Sequence, residues 1–116
     1  HAYEASLNYS KKLNHGEAVM LGMKSAIDFS YKIKLLRLKE YNMIFEHFKK
    51  SNLPSNLNNY FSQKNINTIS TFMTKDKKNN SNKINLILLK KIGTPLKDKK
   101  FTQDDLRLFF KNTLNN

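Results

Sequence analysis

The sequence has no cysteine, three glycines and two prolines. Without cysteine there are no disulfides, no thiolate metal sites and no cysteine nucleophile, which fits a reducing compartment. Three glycines leave no glycine-rich loop to cradle a phosphate. Arginine is scarce, with only Arg37 and Arg107. A protein that reads nucleic-acid grooves is expected to use more, because the planar guanidinium matches guanine and phosphate. No apolar run approaches the roughly 20 residues needed to span a bilayer. No serine–histidine–aspartate arrangement can be traced either.

What is present points to one domain, or part of one, in 116 residues. Hydrophobic residues make up 39% and charged residues 26%. That supports a modest core and is too apolar for a wholly disordered chain. The net charge is +12. One reading is a surface for nucleic acid or another polyanion. The other is composition bias: lysine supplies 19 of the 21 basic residues, asparagine occupies 16 positions, and isoleucine is common. All three are residues of AT-rich codons, and the shortage of arginine favours bias. A missing acidic partner domain would also offset the charge. The chain opens on His1 and not on Met, and reads as truncated.

Periodicity predicts a mainly α chain with one short strand or hairpin near 84–97. Residues 1–9 read as the end of a helix and 10–14 as a polar loop. Residues 17–34 form the clearest helix, with Val19, Met23, Ala26 and Ile33 near one stripe and Glu17 in the first turn. Gly22 in its interior marks a possible close backbone approach. Residues 38–50 form a second amphipathic helix through Leu38, Tyr41, Ile44, Phe45 and Phe48, with Lys49 and Lys50 at its end and Pro54 beyond. Residues 56–61 suggest a helical turn, 65–73 a weaker helix, and 77–83 a polar turn. Residues 84–92 read as a strand buried on much of both faces, ended by Gly93, Thr94 and Pro95, with a second short strand near Leu96. Thr102 caps a last helix, with Asp104 and Asp105 in its first turn and Leu106, Phe109, Phe110 and Leu114 on its apolar side. Asn115 and Asn116 are expected to fray. The phenylalanines and tyrosines fall mostly at helical spacing and read as core.

Two constellations could carry chemistry. His1 and His15-Gly16-Glu17 place imidazoles at a helix end and in a turn where glycine lets the backbone come close. Neutral imidazole is the commonest metal ligand near neutral pH. The alternative for both is a surface or capping histidine, and His47 reads as structural or exposed. Lys75-Asp76-Lys77-Lys78 lies between a helix and a strand, where compact ammonium groups suit phosphate. The alternative is a solvated charge run, as the similar segment at 97–100 shows.

The order of these features resembles the 3-dehydroquinate synthase family. His1-Ala2-Tyr3-Glu4-Ala5, Asn8-Tyr9-Ser10, and Leu13-Asn14-His15-Gly16-Glu17-Ala18-Val19 with Gly22-Met23 are similar to its G-H-T-x-G-H-A-x-E-A and L-x-H-G-E-A-V-x-x-G-M segments. Asn52-Leu53-Pro54 matches its G-L-P turn with Asn for Gly. Met73-Thr74-Lys75-Asp76-Lys77-Lys78 matches M-x-x-D-K-K, and residues 87–93 match the strand and I-G that follow. The likeness covers most of the chain.

The resemblance implies a partial C-terminal helical domain, residues 1–116, that carries metal and substrate groups. The N-terminal α/β domain that binds NAD would be absent. It implies a zinc site, or another divalent metal such as cobalt, made by one Glu and two His, of which His15 maps to one. His1 maps to an active-site histidine that contacts substrate or helps proton transfer. Lys77 and Lys78 map to lysines that approach the substrate phosphate. Glu17 could orient His15 or be a plain helix-start carboxylate. No residue of this chain is assigned to NAD.

The implied reaction converts 3-deoxy-D-arabino-heptulosonate 7-phosphate to 3-dehydroquinate and phosphate, in the shikimate pathway to aromatic amino acids. It runs by transient NAD oxidation, phosphate elimination, reduction and ring closure. The implied setting is a cytoplasmic, homodimeric parent enzyme acting on a phosphorylated keto acid, with no nucleic-acid or membrane partner. The fragment alone would be inactive. The alternatives are another sugar-phosphate cyclase or a metal-dependent alcohol or glycerol dehydrogenase of the same fold. From a different class, a small basic nucleic-acid-binding helical module would instead gather its lysines on one face.

Overall fold

The computed structural model describes residues 1–75 and 83–115. Five helices and one hairpin follow in the order α1 (Ala2–Ser6), α2 (His15–Lys32), α3 (Leu38–Lys50), α4 (Ile66–Thr74), β1 (Lys83–Lys91), β2 (Thr94–Thr102) and α5 (Gln103–Thr113). Two 3-10 turns, Leu57–Asn59 and Gln63–Asn65, lie between α3 and α4. The mainly α class with a single hairpin is therefore as expected. Among the described residues, no helix is long and apolar enough to cross a membrane.

Helix α2 begins two residues before the expected start because Asn14 and Glu17 form a capping box. The Glu17 amide donates to Asn14 Oδ1 at 2.8 Å, and the Asn14 amide donates to Glu17 Oε1 at 3.0 Å. The stripe expected to face the core also differs. Val19, Met23 and Ile33 are exposed, while Ala18, Leu21, Lys24, Phe29 and Ser30 are buried. The helix is apolar on more than one side, so its period alone does not select the inward stripe. Gly22 makes no close approach, since a Cβ there would meet nothing within 4 Å.

Helix α3 buries only Phe48 of its apolar face, and Leu38 and Phe45 stay exposed. It meets α2 through the stacked rings of Tyr31 and Tyr41, 4.7 Å between centroids, and through a polar cluster. Lys24 donates to Asp28 and to Tyr41 Oη at 3.4 Å, and Tyr41 donates to Asp28 at 2.7 Å. The Lys24 ammonium also lies 5.4 and 5.0 Å from the ring centroids of Tyr41 and Phe45.

The hairpin is antiparallel and two-stranded, with Gly93 at φ +83° in its turn. β1 is buried on one face only. Ile84 and Leu88 face the core, whereas Ile87 is 63% exposed. With a single partner strand and helices packed on one side, nothing among the described residues covers the other face. β2 is nine residues long, longer than the short strand expected.

Helix α5 also starts at a capping box. The Asp105 amide donates to Thr102 Oγ1 at 3.1 Å, and the Thr102 amide donates to Asp105 Oδ2 at 2.8 Å. Leu106, Phe109, Phe110 and Leu114 are buried as predicted. Phe29, Phe109 and Phe110 pack ring to ring in the core, at 5.2 and 5.3 Å between successive centroids. Asn115 does not fray, because its amide donates to Asn58 Oδ1 at 2.8 Å. Asn116 lies outside the described residues.

Candidate metal and substrate site

Helix α1 is short, yet Tyr3 and Ala5 anchor it by burial. The Tyr3 hydroxyl and Ser25 Oγ are 2.5 Å apart, and the Tyr3 ring stands 5.4 Å from Phe61. Burial pushes the Tyr3 phenol well above its ordinary pKa; the Ser25 hydrogen bond opposes this and the Asp28 charge adds to it. With Tyr3 and Ala5 turned inward, His1 and Glu4 stand one helical turn apart on the same side.

His15 is the first residue of α2, set by the Asn14 cap. Its Nδ1 lies 3.1 Å from both Glu4 carboxylate oxygens. The side chains are 71% and 13% exposed, so a solvent-facing ring is gripped by a mostly covered carboxylate. Nε2 makes no hydrogen bond among the described residues. A metal-binding imidazole commonly has one nitrogen held by a carboxylate and the other bare, so His15 fits as one donor to a divalent cation. Among the described residues, no group of three or more His, Asp or Glu could hold a metal by itself.

Glu17 takes no part in this pair. Its carboxylate accepts the Asn14 amide and, at 2.9 Å, the Tyr60 hydroxyl. Donation to Glu17 is the main reason the Tyr60 phenol sits above its ordinary pKa. Of the two expectations for Glu17, the structure bears out the helix-start carboxylate.

A cleft of about 750 Å³ opens beside α1. The exposed residues His1, Tyr9, Lys75 and Asn85 line it, together with the buried Phe109 and Phe110. His15 is not among its lining residues and connects to α1 through Glu4. The Lys75 ammonium lies 5.5 Å from the Phe72 ring centroid. Asp76, Lys77 and Lys78 lie outside the described residues, as does most of the expected turn at 77–83. His47 is exposed in the last turn of α3.

Glu4 escaped the sequence reading as a partner of His15. Its signal was the i, i+3 spacing from His1 on a helix, which puts both on one face. Lys24 was missed as a buried charge; its signal was Asp28 four residues on.

A family model described as 3-dehydroquinate synthase C-terminal matches residues 1–79, more than half of the chain. The chain belongs to this family. Three curated 3-dehydroquinate synthases illustrate the likeness. That of Pelagibacter ubique is 53% identical over 114 residues, covering 98% of this chain and 31% of that protein. That of Zymomonas mobilis is 30% identical over 114 residues, covering 98% and 30%. That of Bradyrhizobium diazoefficiens is 31% identical over 119 residues, covering 98% and 31%. The chain thus spans under a third of the length of these relatives. No solved structure matches it. Within the 3-dehydroquinate synthase match lie His1, Glu4, His15, Lys75, Lys77 and Lys78, while the hairpin and α5 lie beyond it.

Proposed function

We propose that this chain supplies metal-ligating and substrate-facing groups of a 3-dehydroquinate synthase. The whole enzyme would convert 3-deoxy-D-arabino-heptulosonate 7-phosphate to 3-dehydroquinate and phosphate. The observation that carries the reading is the His15–Glu4 pair, at 3.1 Å, inside the segment matched by the family. It supports a ring held at Nδ1 that turns Nε2 toward a ligand.

When bound, a divalent metal such as zinc or cobalt would polarise a substrate oxygen, and NAD would exchange a hydride with the substrate. The residues of this chain hold and orient. His15 donates one nitrogen to the metal. His1, at the cleft, holds a substrate hydroxyl or moves a proton there. Lys77 and Lys78 neutralise the phosphate of the keto acid as its charge grows on leaving. The apolar wall of Phe109 and Phe110 limits water around the substrate. The homodimeric state and the cytoplasmic location of the whole enzyme belong to the same proposal. The relatives above all bear the synthase name, which favours this product over other cyclases and dehydrogenases of the fold.

The test is a chimera in which this chain replaces the matching segment of the Pelagibacter ubique synthase. The chimera is expected to release phosphate from the heptulosonate phosphate. His15→Ala is expected to lose bound divalent metal and at least about 100-fold in rate. Lys77→Ala is expected to act mainly on KM for the phosphorylated substrate. A His15→Ala chimera with full metal content and rate overturns the reading.

A further inference from the structure

Glu4 and His15 are brought together by two rigid attachments. Glu4 is flanked by the buried residues Tyr3 and Ala5, and α1 closes with Ala5 N–H on His1 C=O at 3.0 Å. His15 is fixed where the Asn14 cap begins α2. The carboxylate therefore meets the ring at a set place, and it meets only Nδ1.

We infer that Glu4 is a positioning residue for His15: it holds the ring as the Nδ1–H tautomer and so commits Nε2 as the nitrogen offered to a ligand. A carboxylate only accepts hydrogen bonds, so the nitrogen it faces must carry the proton. In a neutral imidazole the proton on Nδ1 leaves the lone pair on Nε2. Exposed imidazole in water favours the opposite form, with Nε2 protonated and its lone pair tied to Nδ1. The pair thus reverses the intrinsic preference of the ring. The exposures agree with this division of labour: the held end reaches toward a carboxylate that is 13% exposed, on a ring that is 71% exposed overall. An ordinary surface ion pair would need a protonated ring and would set no tautomer.

The inference deepens the proposed ligand role of His15 and rests on it for its purpose, although not for its measurement. The tautomer is read from ring ¹⁵N shifts and two-bond ¹⁵N–¹H couplings of the 116-residue chain, above the titration range of imidazole. Nδ1–H is expected in the unsubstituted chain. Glu4→Ala is expected to move His15 toward Nε2–H. Glu4→Gln, whose amide oxygen still accepts a hydrogen bond, is expected to keep much of the Nδ1–H form. The far-UV spectrum checks that each variant stays folded, and Gln serves where Ala does not.

In the chimera, Glu4→Ala is expected to weaken zinc binding about 10- to 100-fold by competition with a chelator, with partial recovery in Glu4→Gln. An Nε2–H ring in the unsubstituted chain overturns the inference. So does a tautomer or zinc affinity that is the same with and without the carboxylate. The two readings separate cleanly. A His15→Ala chimera that keeps its metal overturns the ligand role, whereas unchanged zinc affinity in Glu4→Ala overturns positioning and leaves the ligand role standing.

Discussion

Ser30 clamps the hairpin to the long helix through Leu89. Its hydroxyl accepts the Leu89 amide at 2.9 Å and donates to the Ala26 carbonyl at 2.7 Å. Ser30 is fully buried, so water does not replace either bond. An amide that loses a buried acceptor in such a place costs about 1–3 kcal/mol. Ser30→Ala is therefore expected to destabilise by about 1–2 kcal/mol, read from the midpoint of urea unfolding. Hydrogen exchange at the Leu89 amide should quicken more than elsewhere in β1. Equal exchange across the strand would show that the clamp does not hold it.

A buried charge pair within α2, Lys24 with Asp28, meets α3 through the Tyr41 hydroxyl. Lys24 is 5% exposed, and Asp28 is its ion-pair partner. Removing the carboxylate leaves a buried ammonium whose remaining partners among the described residues are the Tyr41 hydroxyl and two aromatic faces. Breaking a buried pair commonly costs 3–5 kcal/mol, and the partial exposure of Asp28 and the nearby rings reduce this. Asp28→Ala is expected to cost about 2–3 kcal/mol, and the double variant Lys24→Met/Asp28→Leu clearly less. Urea unfolding of the three variants tests the order. A double variant no more stable than Asp28→Ala would mean that the stranded ammonium is not the source of the cost.

These two clamps also show why parts of the fold were legible and others were not. Helix α5 was readable because its capping residue, first-turn acids and apolar spacing all agree, and Thr102, Leu106 and Phe110 behave accordingly. The orientation of α2 was not. Its inward side is chosen by Ser30, which serves the hairpin, and by Lys24, which serves α3. Both are long-range partnerships that no local period encodes. The one-sided burial of β1 is of the same kind, since Ile87 could be inward only if a second layer covered it. At the candidate site, His15 could be picked out by its residue type. Glu4 could not, because its role depends on α1 and the start of α2 meeting in space.

Two phenols make the stability of the chain pH-dependent on the alkaline side. Burial raises Tyr3, and burial with donation to Asp28 raises Tyr41, both above the ordinary value of 10.0. A raised folded value means that the unfolded chain loses its phenol protons first. The stabilisation is therefore complete below pH 10 and falls as pH rises beyond it toward the folded values. For the buried Tyr3 the slope is about 1.4 kcal/mol per pH unit, and for the partly buried Tyr41 it is smaller. Tyr3→Phe is expected to flatten the fall in Tm above pH 10 more than Tyr41→Phe does. It should also lower stability at neutral pH through loss of the Ser25 hydrogen bond. An unchanged alkaline slope in Tyr3→Phe would rule out its phenol as the source.

Glu4 and Glu17 are carboxylates at the same helix junction, and the structure gives them separable tasks. Glu17 closes the cap with Asn14 and receives the Tyr60 hydroxyl, and it makes no bond to His15. Its loss should act on folding. Glu17→Ala is expected to cost about 1 kcal/mol of stability, similar to Asn14→Ala, as for other lost helix caps. Its His15 ring should keep the tautomer of the unsubstituted chain, and zinc affinity in the chimera should stay within about twofold. Glu4→Ala should reverse that pattern, with a larger loss of zinc affinity and a smaller loss of stability. A Glu17→Ala variant that folds normally but sheds zinc would return the orienting role to Glu17, because the cap bonds would then contribute less than a contact to His15 formed only when metal is bound.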